Sequence, residues 1–213
     1  MTSFRMMIPL ALTGGLVGGR LYHRWNRNWG ATDQEAHDVL PGDDLVPDGR
    51  TVSTIAITVR ATPEDVWPWL VQMGADRAGF YSHEWIENGV LHLGIHNANR
   101  IVPEWQHVEI GDHLNYVRPK PGAPPIGPEV TSLVPNRELI TGMGDQPPWA
   151  ASWQFVLRSV GDGNTRLVVR LRLTRSMPLP LAIPMWLLEP GFDYMSIEML
   201  RGIAQRAEGR VRA

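Results

Sequence analysis

The sequence contains no cysteine. Disulfides, thiolate nucleophiles and thiolate metal sites are therefore excluded together, although the compartment is not fixed by that. It has no basic excess either: the formal net charge is -2. Nothing is available to neutralise a phosphate backbone, so nucleic acid is not an expected partner. No apolar run is long enough to span a bilayer. The uncharged stretch Met6–Gly19 has fourteen residues, against roughly twenty for a spanning helix. Also missing are G-x-G-x-x-G after a strand, a P-loop, G-x-S-x-G and H-E-x-x-H, the commonest cofactor and nucleophile signatures. No cofactor is expected. His92 and His96 stand four apart, but Gly94 lies between them in a stretch that reads as loop. No third ligand has a telling spacing, so no metal is expected.

What is present is tryptophan, nine residues of it, with eighteen prolines and twenty-one glycines. Tryptophan offers a wide apolar face and one donor, which suits both core and pocket wall. Proline and glycine in this number imply many turns.

Residues 1–50 read as an extension leading into a domain at 51–213. The apolar segment 6–19 is rich in glycine, which weakens it as a helix. A loosely docked tail, a membrane-surface anchor and a signal or short span all fit it. Arg20, Arg24 and Arg27 alternate with Tyr22, Trp25 and Trp29, a composition suited to a headgroup region. A weak membrane-surface contact through residues 6–29 thus stays open, with the cytoplasm as the expected compartment. Thr32 or Asp33 caps a short helix through Val39, and Pro41–Asp44 and Pro47–Gly49 are turns.

From Val52 the chain alternates. Ile55, Ile57 and Val59 against Thr54, Ala56 and Thr58 make a half-buried strand. Thr62-Pro63-Glu64-Asp65 then opens a helix, and a second short helix is predicted from Gly79 to Asn88. Strands are predicted at His113–Val117, Val130–Val134, Glu138–Thr141, Trp153–Val160 and Arg166–Thr174, the last two joined by the hairpin turn Gly161–Asn164. The arginines at alternate positions of the last strand predict one solvated face. Phe192, Met195, Met199, Leu200 and Ile203 follow helical spacing to Glu208. The fold class is α+β: an antiparallel sheet of six or seven strands, two short helices after the first strand, and a long C-terminal helix across the sheet.

Seven stretches carry a family likeness: WGATDQE from Trp29, LPGDDLVP from Leu40, VWPWLVQMG from Val66, GFYSHEWIEN from Gly79, IHNANRIVPEWQ from Ile95, SWQFVL from Ser152 and EPGFDYMSIEMLRGI from Glu189. The chain resembles the helix-grip superfamily, which includes START domains, birch-pollen-type allergens and polyketide cyclases. Its wording is similar to a bacterial polyketide cyclase/dehydrase-like branch. The resemblance implies a curved sheet round the last helix and an internal cavity with an apolar, lipid-like or polyketide-like occupant. It brings no catalytic motif.

Candidate site residues come from the sequence itself. Tyr81, Glu84, Trp85 and Asn88, at offsets 0, +3, +4 and +7, would share one helix face. His96 and Arg100 precede Pro103-Glu104-Trp105, and a structural ion pair between Arg100 and Glu104 or a helix acid is expected. The expected cavity lining is Trp69, Tyr81, Trp85, Trp153, Phe155, Met195 and Met199, with Arg100 also placed to meet a ligand. Trp149 and Trp153 flank the start of a strand. If chemistry occurs, Glu84 or His96 is the expected base and Tyr81 the hydrogen-bond donor. A carboxylate in apolar surroundings has its pKa raised, which would fit Glu84 for acid-base work. Three functions follow: a carrier of a small apolar molecule, a cofactor-independent cyclase, dehydratase or isomerase acting on one, and a membrane-surface lipid binder. Ligand, reaction and oligomeric state are not legible.

Overall fold

A computed structural model of the chain describes residues 2–144 and 150–211; Trp149 lies outside them. Five strands are formed among these residues: β1 (Arg50–Val59), β2 (Glu129–Val134), β3 (Glu138–Met143), β4 (Ala151–Val160) and β5 (Asn164–Leu173). They form one curved antiparallel sheet in the order β1-β5-β4-β3-β2. Five helices accompany them: α1 (Thr2–Asn26), α2 (Asp33–His37), α3 (Pro63–Val71), α4 (Glu84–Gly89) and α5 (Leu179–Ala207). The architecture is α+β: a strand, two short helices, four further antiparallel strands and a long last helix lying on the concave face of the sheet.

The sheet has five strands among the described residues, not six or seven. The expected strand at His113–Val117 is reduced to a bridge between His113 and Glu129. Leu114 and Tyr116 still donate to the carbonyls of Pro128 and Ile126 at 2.8 and 2.7 Å. Pro124, Pro125 and Pro128 have no N–H to return, so the ladder cannot propagate.

The concave face carries alternate residues of every strand. Ile55, Leu139, Phe155, Leu157, Leu167 and Val169 pack with Leu70 and Met73 around Ile197, Met199, Leu200 and Ile203 of α5. α5 begins thirteen residues before the predicted start at Phe192, with Pro184 and Pro190 inside it. Gly202 lets α5 approach the loop after α3: a Cβ there would lie 2.1 Å from the Tyr81 carbonyl oxygen.

The arginine face is not solvated. Residues 27–48 cover it. Arg27 and Trp29 accept at their carbonyls from Thr54 and Ala56 on the outer edge of β1. Arg170 is 2% exposed. Its guanidinium donates to Asp43 at 2.7 Å, to Thr54 at 3.0 Å, and to the carbonyls of Glu35, Ala36 and Asp38. Arginine brings five donors in a fixed fork, so a ring of backbone carbonyls can replace its water. Arg166 pairs with Glu35 at 2.7 Å.

The Glu35 carboxyl is held at about 2 against an ordinary 4.5, chiefly by its hydrogen bonds from Arg166, with burial working the other way. A depressed folded-state pKa stabilises above the unfolded value, and this stabilisation is lost as pH falls through the folded one. Glu35→Gln is therefore expected to cost on the order of 2–3 kcal/mol at pH 7. In urea titrations the gap between variant and parent should narrow between pH 4.5 and about 2. A gap independent of pH would refute the ion-pair account.

Candidate functional site

Structure places the sequence-predicted residues in three groups. Trp69, Tyr81, Phe155 and Met199 are buried in the core between sheet and α5. Trp153 and Met195 are half-buried. Trp85, His96 and Arg100 are exposed, and Glu84 is 44% accessible at its side chain.

Tyr81 is tied down completely. Its hydroxyl donates to the Trp69 carbonyl at 3.0 Å and accepts from Gln72 at 2.9 Å. Its ring meets Trp69 edge-on at 5.9 Å and lies under the Arg206 guanidinium. Burial pushes the phenol well above its ordinary range. The proton is thus both held and committed to a backbone carbonyl. Gln72, fully buried, also donates to the Arg100 carbonyl and accepts from Val102 N–H and Gln106. This network pins the 79–106 segment onto α3.

The four-residue helix face does not form. Tyr81 has φ +58 and the helix starts only at Glu84. The phase between 81 and 88 is broken, so Tyr81 points inward and Trp85 outward. Glu84 accepts from the Asn97 N–H at 2.7 Å and lies 3.8 Å from His96. Asn88 exchanges two bonds with the backbone of Ile95 and closes the 88–95 loop. The buried carboxyl of this helix is Glu87, and its pKa is raised. Burial is the main cause, opposed by a 2.5 Å hydrogen bond from Ser82. Glu104 does not pair with Arg100: no ion pair of Arg100 is found among the described residues.

Sequence reasoning missed two rings. Phe80 and Tyr116 stand 6.3 Å from Trp153 and 6.1 Å from each other, and Trp153 packs on Phe155 at 4.8 Å. The four rings form a continuous wall at the concave side of β4. Phe155 is its buried base, and Tyr116 keeps 36% of its surface accessible. Yet burial pushes the Tyr116 phenol upward. The signal for Tyr116 was its alternation with Leu114 and Asn115 in the 113–117 segment.

It also missed a buried charge cluster between α1 and α5. Glu189 and Asp193, one turn apart on α5, are fully buried. Glu189 accepts from Arg20 at 2.8 Å and from Arg50, and Asp193 bonds His23 Nδ1 at 2.6 Å. His23 Nε2 is 3.4 Å from Glu189. One Asp193 oxygen, Oδ1, has no partner. Burial raises the Asp193 pKa, and the His23 bond opposes it. Two acids in an apolar run at spacing four were the available signal. Arg20 and Arg50 meet Glu189 while His23 meets Asp193, so the cluster ties α1 and the start of β1 to α5.

Two surface concavities lie elsewhere. One of about 520 Å³ is bounded by Pro63, Asn136, Arg137, Leu157 and Arg158. The other, about 260 Å³, is bounded by Arg50, Ala182, Ile183 and Trp186. Neither is lined by the predicted ligand residues, and the expected lining residues Trp69, Tyr81, Phe155 and Met199 are packed as core. No group of three or more potential metal ligands occurs among the described residues.

No family model and no curated protein matches the sequence. Solved structures do. A conserved protein of unknown function from Enterococcus faecalis is 14% identical, with 92% of this chain and 86% of that chain covered and a TM-score of 0.44. A polyketide-cyclase-like protein from Corynebacterium glutamicum is 15% identical, covering 75% and 92%, with a TM-score of 0.42. A Mesorhizobium loti protein is 16% identical, covering 75% and 99%, at 0.39. Likenesses this distant carry no activity or ligand across.

Proposed function

We propose that the chain binds a small apolar molecule against the aromatic wall of Phe80, Tyr116 and Trp153 above Phe155. The observation that supports this reading is the wall itself. Trp153 touches Phe80, Tyr116 and the buried Phe155, and Tyr116 keeps accessible surface where Phe155 and Leu139 have almost none. Aromatic rings give large contact area at low entropy cost, and pocket walls are predominantly apolar with few polar groups. The acid-base reading has less to draw on. Tyr81 has spent its proton on a carbonyl, and His96 is 80% accessible.

The reading is tested with N-phenyl-1-naphthylamine, an uncharged apolar fluorophore. Its emission is expected to rise and saturate on titration with the full chain. Trp153→Ala should weaken the affinity at least tenfold, since the ring's loss removes about 1.5–3 kcal/mol of apolar burial. His96→Ala should leave it unchanged. Equal affinity in parent and Trp153→Ala would refute the site.

A further inference from the structure

The first third of α5 is packed on no core. Residues 179–188 read LPLAIPMWLL. None of the ten is buried, whereas Glu189, Asp193, Ile197 and Leu200 follow at once as buried positions. A helix segment that is apolar all round and nowhere buried lacks a partner. α1 runs beside it in parallel: Arg20 contacts Trp186 and Glu189, and His23 contacts Asp193, so the register rises together in both helices. Leu16, Val17, Leu21 and Trp25 of α1 are exposed too.

Charge selects the occupant. The chain has no acid before Asp33 and none between Thr174 and Leu188. Within this stretch of α5 the acids Glu189 and Asp193 are buried and bound to Arg20, Arg50 and His23, and Asp48 accepts from Ser176 just before the helix. Arg24, Arg27 and Arg175 are exposed, and the Arg20 guanidinium lies 4.2 Å over the Trp186 ring. The surface is therefore apolar at the helix ends, then ringed by tryptophan and arginine. That order matches a lipid monolayer with anionic headgroups. Ten helical residues rise about 15 Å, half of the roughly 30 Å hydrocarbon core. No helix among the described residues is long and apolar enough to cross a membrane, and single-leaflet insertion requires none.

We propose that residues 179–188 of α5, with Leu16, Val17 and Leu21 of α1 beside them, insert into one leaflet of a bilayer containing anionic phospholipid, with Trp186, Arg20, Arg24 and Arg27 at headgroup level. The charge cluster keeps the two segments side by side. This holds whether or not the aromatic wall takes a ligand.

Co-sedimentation of the full chain with sucrose-loaded vesicles tests it, using phosphatidylcholine and phosphatidylglycerol at 70:30. The chain is expected to pellet with the vesicles. Ile183→Glu with Leu187→Glu should lower the partition coefficient at least tenfold at an unchanged melting temperature, because both side chains are exposed. Arg24→Glu with Arg27→Glu should lower it by about tenfold or more. If the first pair misfolds, Leu21→Glu with Leu179→Glu repeats the test on other turns. A full chain left in the supernatant overturns the proposal, as does a correctly folded Glu variant that pellets like the parent. A dimer in lipid-free buffer that either Glu pair converts to monomer also overturns it, since the surface would then be a subunit interface.

Discussion

Arg170→Met is expected to destabilise the chain by about 3–5 kcal/mol, the cost of removing one partner from a buried ion pair. The loss is not one contact. Asp43 would keep its charge beside Arg172 and the Gln154 amide but lose its closest cation. The carbonyls of Glu35, Ala36 and Asp38 would lose a donor inside a layer that excludes water. Methionine restores apolar volume and none of these bonds. In urea the midpoint should drop sharply. Arg158→Met, on an exposed stretch of β4, should stay within about 0.5 kcal/mol of the parent. If Arg170→Met matched Arg158→Met, residues 27–48 would not seal the face as described.

Gly202→Ala should be comparably severe, although alanine is the better helix former by about 1 kcal/mol. The added Cβ would sit 2.1 Å from the Tyr81 carbonyl oxygen and 2.8 Å from the Tyr81 side chain. Backbone cannot swing aside as a long side chain can. Either α5 lifts off the core or the 79–83 loop moves, and overpacking of this kind costs about 1–3 kcal/mol or more. Tyr81 is the neighbour least able to yield, because its φ of +58 and its hydroxyl bonds already fix it. Gly191→Ala, in the same helix with nothing within 4 Å, is the internal control and should stabilise slightly. Thermal melts of the two variants are expected to move in opposite directions. Movement of both in the same direction would contradict the close approach of α5 to Tyr81.

These two residues also mark where local pattern stops informing. β4 and β5 were legible because one side of each strand is continuously apolar and a glycine-rich hairpin joins them. The last helix was legible from Met199, Leu200 and Ile203, but not its first turns, since nothing in the core dictates residues 179–188. Arg170 looked like a solvated residue, because alternation reports polarity and not what satisfies it. Its partners come from residues 35–43 and from Thr54, more than a hundred positions away. The 81–88 segment misled for a different reason. A non-glycine residue with positive φ shifted the helix start to Glu84 and carried the buried carboxyl from position 84 to 87. No spacing rule detects a left-handed tyrosine held in place by Gly202 of another element. Trp153 and Phe155 face the core side of β4 as the strand phase predicts. Phe80 and Tyr116 were missed because they sit on irregular segments that only tertiary structure brings to β4.

The central claim, that the wall of Phe80, Tyr116, Trp153 and Phe155 holds a small apolar molecule, is tested most directly by native mass spectrometry of the full chain. The chain is purified without added lipid and compared with Trp153→Ala. The expected spectrum shows a parent species heavier than the 23.9 kDa chain by one small organic molecule. Denaturation should release it, and it should be absent or much depleted in Trp153→Ala. Equal retention of a bound molecule by parent and variant would contradict the account. So would a parent that stays at the bare chain mass after incubation with excess N-phenyl-1-naphthylamine.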